Sequence, residues 1–274
     1  MKDGKVERKN DILLGPIERP ILNWLAKHMP EWVNSDMLTV LGIFGSALTL
    51  VSGIMAGKTG GPYQNPWILV LCLGFVINWF GDSLDGTLAR YRHKERPNFG
   101  YFIDHSVDGF TALCMFLGFG FAGISSLLVA AFGAIGYLLM MITVYLKTHV
   151  TGVFEMTTIK IGPTELRVLA IIFSLVHYFL EPVPVRVPFA GGEEIKLGTF
   201  VVGVIAAILF IYYVVETIRV GRRLAIEDGK RLERRLVKEA KAAEKEMKKM
   251  EKEFKKSSKK SNGNNALGDI SRIN

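Results

Sequence analysis

Cysteine is almost missing from this 274-residue chain: there are two, Cys72 and Cys114. Two thiols inside apolar runs make neither a disulfide framework nor a zinc site, so both read as small buried residues. Net charge is missing from most of the length as well. Of the overall +8, residues from Arg219 onward hold 18 Lys/Arg against 9 Asp/Glu, a net +9, which leaves −1 for everything before. A cleavable signal peptide is not expected, because Pro16, Glu18, Arg19 and Pro20 interrupt the first apolar stretch.

Apolar residues are abundant, 49% of the chain, and they fall in runs near the length that crosses a bilayer. Six spans are expected: Met37–Ala56, Trp67–Ala89, Phe99–Phe121, Ser125–Leu146, Thr164–Leu180 and Thr199–Ile218. Asn34, Ser35 or Asp36 can cap the first. Ahead of them, Ile17, Ile21, Leu22, Trp24 and Leu25 share a helical face, which predicts an amphipathic helix at the bilayer interface with Trp24 and Trp32 at headgroup depth. An ordinary amphipathic helix packed on protein has the same pattern. The fold class is therefore all-α and integral to a membrane: six transmembrane helices preceded by an interfacial helix, with a charged C-terminal helix.

The domains expected are residues 1–36 as an N-terminal segment whose first residues fray, 37–218 as the membrane domain, and 219–274 as a basic helix and tail. In the tail, Leu236, Ala240, Ala243, Met247, Met250 and Phe254 alternate steps of four and three. Such a seam suits a second copy, an anionic lipid surface, or a solvated helix without a partner. From Ser257 on, Ser, Lys, Asn and Gly predict disorder.

Lys and Arg in short loops set orientation. Arg90, Arg92, Lys94 and Arg96 lie between spans two and three, and Lys147 and Lys160 between four and five. Both termini and these two loops are expected in the cytoplasm, in the cell membrane if the host is prokaryotic.

Against this background four carboxylates stand out. Asp82 and Asp85 are three residues apart, and Asp104 and Asp108 four apart, so each pair shares a helical face. A carboxylate in a bilayer costs about 2.5–3.5 kcal/mol even on lenient insertion scales, so four call for a cation between the helices. Carboxylate oxygens suit hard divalent ions. Gly81, Gly86 and Gly100 leave backbone open to a ligand or a neighbouring helix, Asn78 lies one turn before Asp82, and Arg90 carries a fork suited to phosphate. Metal, arginine and bare backbone together suit a diphosphate, with one carboxylate free to act as base.

The run Asp82-x-x-Asp85-Gly86-x-x-Ala89-Arg90, followed by Gly100-x-x-x-Asp104-x-x-x-Asp108, resembles the signature of the CDP-alcohol phosphotransferase family, with a nine-residue spacer between Arg90 and Gly100. The resemblance implies an enzyme of phospholipid biosynthesis that uses Mg²⁺ or Mn²⁺ and is commonly a homodimer. A hydroxyl attacks the β-phosphoryl of a CDP-linked donor and CMP leaves. Carried onto this sequence, Asp82, Asp85, Asp104 and Asp108 would ligate metal, with Asp108 also the general base. Gly86, Ala89, Arg90 and Gly100 would line the CDP site.

Two directions of transfer stay open. CDP-diacylglycerol or an analogue could donate to a soluble alcohol; Lys147, His149, Lys160 and Arg167, near one face, are then candidates for binding an anionic acceptor, and Glu165 is an acceptor candidate that a soluble donor would favour. Alternatively, a soluble CDP-alcohol could donate to diacylglycerol. Asp104-His105 and Gly162-Pro163-Thr164-Glu165 resemble the choline/ethanolamine branch in this respect. His105 itself sits about 100° off the face of its metal-ligand neighbour. Basic residues near the loop between spans four and five favour the first direction. Membrane lipids are expected partners and nucleic acid is not. A transporter with an acidic cation site is the competing class, but transport needs polar positions across the bilayer, and Ile68–Phe75 and Phe110–Phe121 are nearly all apolar.

Overall fold

A computed structural model of the chain describes residues 13–151, 162–181, 184–186 and 194–270, with side chains up to 253. The described residues form seven helices and one small hairpin. The helices are α1 (Gly15–His28), α2 (Ser35–Lys58), α3 (Pro66–Tyr91), α4 (Pro97–Phe121), α5 (Leu127–Thr151), α6 (Pro163–Phe179) and α7 (Leu197–Ile270). Between α6 and α7, β1 (Pro184–Arg186) pairs antiparallel with β2 (Glu194–Lys196), with Val185 opposite Ile195. This hairpin was not expected. The frayed N-terminal residues expected from the sequence lie outside the described residues.

Helix starts follow local chemistry. Asn34 caps α2 by accepting from the Met37 N–H, Asn65 caps α3 by accepting from the Trp67 N–H, and proline opens α3, α4 and α6. Each of the six expected spans coincides with a helix. Among the described residues α2, α3, α5 and α7 are long and apolar enough to cross a membrane. Helix α4 is diluted by Asp104, His105, Ser106 and Asp108 in its first half. Helix α6 has 17 residues, about 26 Å, and carries Glu165 and Arg167 in its first two turns.

By its packing the chain divides into two units, Met1–Thr217 and Ile218–Asn274. In the first, α2 lies against α3 and α4, α4 against α5, and α3 against α1 and α6. Glycine allows the tightest of these approaches. A Cβ on Gly81 would press into the Gly42 backbone and the Leu38 carbonyl of α2, and one on Gly53 into the Gly118 backbone of α4. At one end of α3 and α4 the core is apolar: Ile68, Leu71, Phe75, Phe119 and Ile124 are almost fully enclosed. Midway, Asn78 joins three helices, donating to the Gly42 carbonyl at 3.0 Å and Ser46 Oγ at 2.9 Å, while Ser46 and Thr111 share a 2.8 Å hydrogen bond.

Helix α1 has apolar residues on two sides. Leu22 and Ala26 pack on Leu84 and Leu88 of α3, whereas Ile17, Ile21 and Trp24 face outward. Its Glu18 accepts from Trp79 Nε1 of α3 and from Thr164 Oγ1 of α6, each at 2.8 Å.

In the second unit, the described residues continue α7 to Ile270, past the point where composition predicted disorder; each added helical residue gains a hydrogen bond once a helix is nucleated. Leu236, Met247 and Met250 of the expected seam are exposed. Glu239, Glu244, Glu246 and Glu251 flank that seam, and Lys238, Lys241, Lys245 and Lys248 occupy the opposite side. Parallel pairing with a second copy would set glutamate against glutamate.

Candidate functional site

The carboxylates lie at the end of α3 and α4 away from the apolar core. Asp82 comes from the fifth turn of α3, and its Oδ2 accepts from Arg167 Nη2 of α6 at 2.7 Å. Arg167 is only 6% exposed. Asp85, one turn on, is equally enclosed, and its Oδ2 accepts from Thr39 Oγ1 of α2 at 2.5 Å. Ser35 Oγ, one turn before Thr39, donates to the Asp85 carbonyl at 3.0 Å. Both elements of α3 are therefore fixed from outside their own helix: Asp82 by α6, Asp85 by α2.

Helix α4 brings the second pair. Asp104 and Asp108 are half-buried, and His105 Nδ1 stands 3.9 Å from Asp108 Oδ2. The His105 ring is held between aromatics, edge-on to Tyr101 at 4.1 Å and stacked on Tyr145 of α5 at 4.8 Å. The charges of Asp108 and Arg167 reach Asp82, and those of Asp104 and Asp82 reach Asp85. Tyr137 of α5, half-buried, lies within reach of the charges of Asp82, Asp108 and Arg167. Side chains of α3, α4, α5 and α6 thus share one electrostatic neighbourhood, with α2 holding it from behind.

Four carboxylates share this neighbourhood with one buried guanidinium, which pairs with Asp82. That donor set, oxygen-rich and short of positive charge, fits a hard divalent cation in its chemistry. Among the described residues, no three acidic, histidine or cysteine side chains converge closely enough to share an ion.

The remaining sequence candidates separate. Arg90 is exposed and folds back along its own helix: Nη2 donates to Thr87 Oγ1 at 3.1 Å, and Nη1 lies 3.3 Å from where a Gly86 Cβ would be. Around Gly100 a Cβ would meet nothing within 4 Å, so that backbone is open. Ala89 is half-buried. Lys147 is tied to Glu216 of α7 at 2.8 Å, His149 is exposed, and Lys160 lies outside the described residues. Glu165 is buried, with Oε1 accepting from the Leu14 N–H at 2.7 Å and Oε2 from the Gly162 N–H at 2.9 Å. It closes the start of α6 onto the start of α1. Of these candidates Arg167 is the one brought to the carboxylates.

Sequence reasoning missed Thr39, Tyr137 and Tyr145. Thr39 had a signal: Ser35 and Thr39 are an i,i+4 polar pair at the start of a mostly apolar helix. Asn78, read as a neighbour of Asp82, belongs to the α2–α3–α4 seam instead.

The sequence matches known proteins in this same region. The model of the CDP-alcohol phosphatidyltransferase family matches residues 32–218. Among curated proteins, the chain is 27% identical to cholinephosphotransferase 1 of Danio rerio over 204 residues, 70% of this chain and 50% of the relative. It is 26% identical to cholinephosphotransferase 1 of Gallus gallus over 171 residues, 61% of this chain and 50% of the relative. The Homo sapiens protein of that name is 27% identical over 60% of this chain and 40% of its own length. The chain spans about half the length of the curated relatives it matches, or less.

Proposed function

Because this chain belongs to the CDP-alcohol phosphatidyltransferase family, we propose that it transfers a substituted phosphoryl group from a CDP-linked donor to an alcohol and releases CMP. The observation that carries this reading is the meeting of the α3 and α4 carboxylates with a buried arginine at one end of an apolar helical bundle.

Family members depend on divalent metal in general. We assign Asp82, Asp85, Asp104 and Asp108 to hold Mg²⁺ or Mn²⁺, which when bound polarises the diphosphate and offsets charge on the departing CMP. Asp108 takes the proton from the attacking hydroxyl, with His105 at 3.9 Å as its partner. The oxygen of that hydroxyl bonds to the β-phosphorus, and the bond to the bridging oxygen breaks. Thr39 keeps Asp85 oriented from the α2 side. Gly86, Ala89 and Gly100 line the nucleotide site, with open backbone at Gly100, and Arg90, at the exposed rim, swings off Gly86 to meet its outer part.

Of the two directions, the relatives' name supports the second, a soluble CDP-alcohol such as CDP-choline or CDP-ethanolamine with a lipid alcohol as acceptor. The expectation of a CDP-lipid donor rested on free cations near the α5–α6 connection, and Lys147 and Arg167 are engaged in ion pairs. We further propose that α2–α7 all cross the membrane, that α1 lies at the interface with Ile17, Ile21 and Trp24 toward lipid, and that the carboxylate end faces the cytoplasm. The protein would work as a homodimer, with 37–218 the catalytic domain between the N-terminal segment and the basic tail.

The test is CMP release by purified protein in detergent with Mg²⁺ or Mn²⁺. CDP-choline, CDP-ethanolamine and CDP-diacylglycerol are each offered with a panel of acceptors. Metal-dependent CMP from a soluble donor plus diacylglycerol is expected. CMP from the lipid donor alone reverses the direction, and none from any pairing overturns the reaction.

A further inference from the structure

We propose that Arg167 is the residue that binds the β-phosphoryl group of the donor. This rests on the phosphotransferase reading above and adds to it a specific ligand. The sequence pattern offered two arginines. Arg90, inside the motif, is exposed and turned back onto Thr87 and Gly86. Arg167, 85 residues beyond its partner Asp82, is buried against that carboxylate.

The guanidinium of Arg167 is half used. Nη2 donates to Asp82 Oδ2, while Nη1 is buried and has no hydrogen-bond partner among the described residues. A buried donor on a charged group left without an acceptor is unfavourable and calls for one. An acceptor for it would enter beside Asp82, between α3 and α6. A phosphoryl group meets that need, because a planar fork anchored through one nitrogen presents the other at a fixed angle. The ion pair to Asp82 fixes the plane. The start of α6 is itself held, by Glu165 on the Leu14 and Gly162 N–H groups and by Thr164 on Glu18. Arg167 therefore reaches the centre from a tethered turn.

Electrostatics narrows the assignment to the donor's β-phosphate. Four carboxylates repel a diphosphate, and Arg167 is the cation whose charge reaches Asp82 directly. Its charge and that of Asp108, the proposed base, both reach Tyr137. The group held beside the base is the one attacked, which is the β-phosphoryl.

CDP and CMP distinguish this from other roles, since CDP carries the β-phosphate and CMP lacks it. Binding of each is measured by calorimetry on full-length protein in detergent with Mg²⁺, for wild type, Arg167→Gln and Arg167→Lys. Wild type is expected to bind CDP more tightly than CMP. Arg167→Gln should lose about 10- to 100-fold in CDP affinity, the worth of a charge-assisted pair, while CMP affinity holds. Arg167→Lys keeps the charge opposite Asp82 but not the fork, and should fall between; it carries the test alone if the glutamine variant does not fold. Equal losses for CDP and CMP, or none for either, overturn the assignment and leave the phosphotransferase reading standing. A folded wild type that binds neither nucleotide overturns both.

Discussion

Helices α3 and α4 are built differently at their two ends. At one end Ile68, Leu71, Phe75, Phe119 and Ile124 interlock without a polar atom among their side chains. At the other lie Asp82, Asp85, Asp104 and Asp108, with an arginine against Asp82 and a histidine beside Asp108. The first end is what an apolar bundle does by default. The second places costly charges where packing would have been cheaper, and the two on α3 are held by neighbouring helices: Asp82 by Arg167, Asp85 by Thr39. Stability and chemistry are therefore separated along the same two helices, and the Asn78–Ser46–Thr111 seam marks the border.

The largest effects should fall on the charged end alone. Chelation with EDTA is expected to abolish CMP release and leave the helical signal in circular dichroism unchanged, with Mg²⁺ or Mn²⁺ restoring turnover. Metal-independent turnover would remove the divalent ion from the mechanism. Asp108→Asn should lower turnover about 10²–10⁴-fold while CDP still binds. Near-normal turnover would end its assignment as base and pass that role to His105.

At the apolar end the pattern should invert. Leu71→Ala opens a cavity in the enclosed cluster and should destabilise by about 2 kcal/mol, the low end for such a change, because lipid offers the side chain an equally apolar alternative. Turnover per folded molecule should not change. Gly81→Ala breaks the separation: its Cβ meets the α2 backbone next to Asp82, so thermal stability and turnover should fall together. A loss of stability alone would mean that α2 yields without moving the carboxylates.

The carboxylate pairs were legible because helical periodicity is local: spacings of three and four put both members on one face whatever the rest of the fold does. The core runs were legible for the same reason. Arg167 and Glu165 were visible only as charges near a predicted loop, since their partners lie 85 and 151 residues away and leave no periodic trace. Helix α1 misled in part: Leu22 and Trp24 read as one apolar face, yet one packs on α3 and the other points outward. The hairpin was hidden by its size, three residues a strand, and by the proline and charges that compose it.

Glu165 gives the finest test of that division. The sequence offered it as a ligand for the acceptor, whereas both of its oxygens are engaged by backbone N–H groups that join α1 to α6. Glutamine keeps one acceptor oxygen and puts an amide donor opposite the other N–H. One of the two bonds is lost, at a cost of about 1–2 kcal/mol. Glu165→Gln should therefore lower the thermal midpoint slightly and leave the acceptor KM unchanged. It should also weaken CDP binding a little, because the turn that carries Arg167 is less firmly held. A raised acceptor KM with no change in the midpoint would show the opposite: a carboxylate that touches the acceptor, and a chemical end that extends beyond α3 and α4 to the first turn of α6.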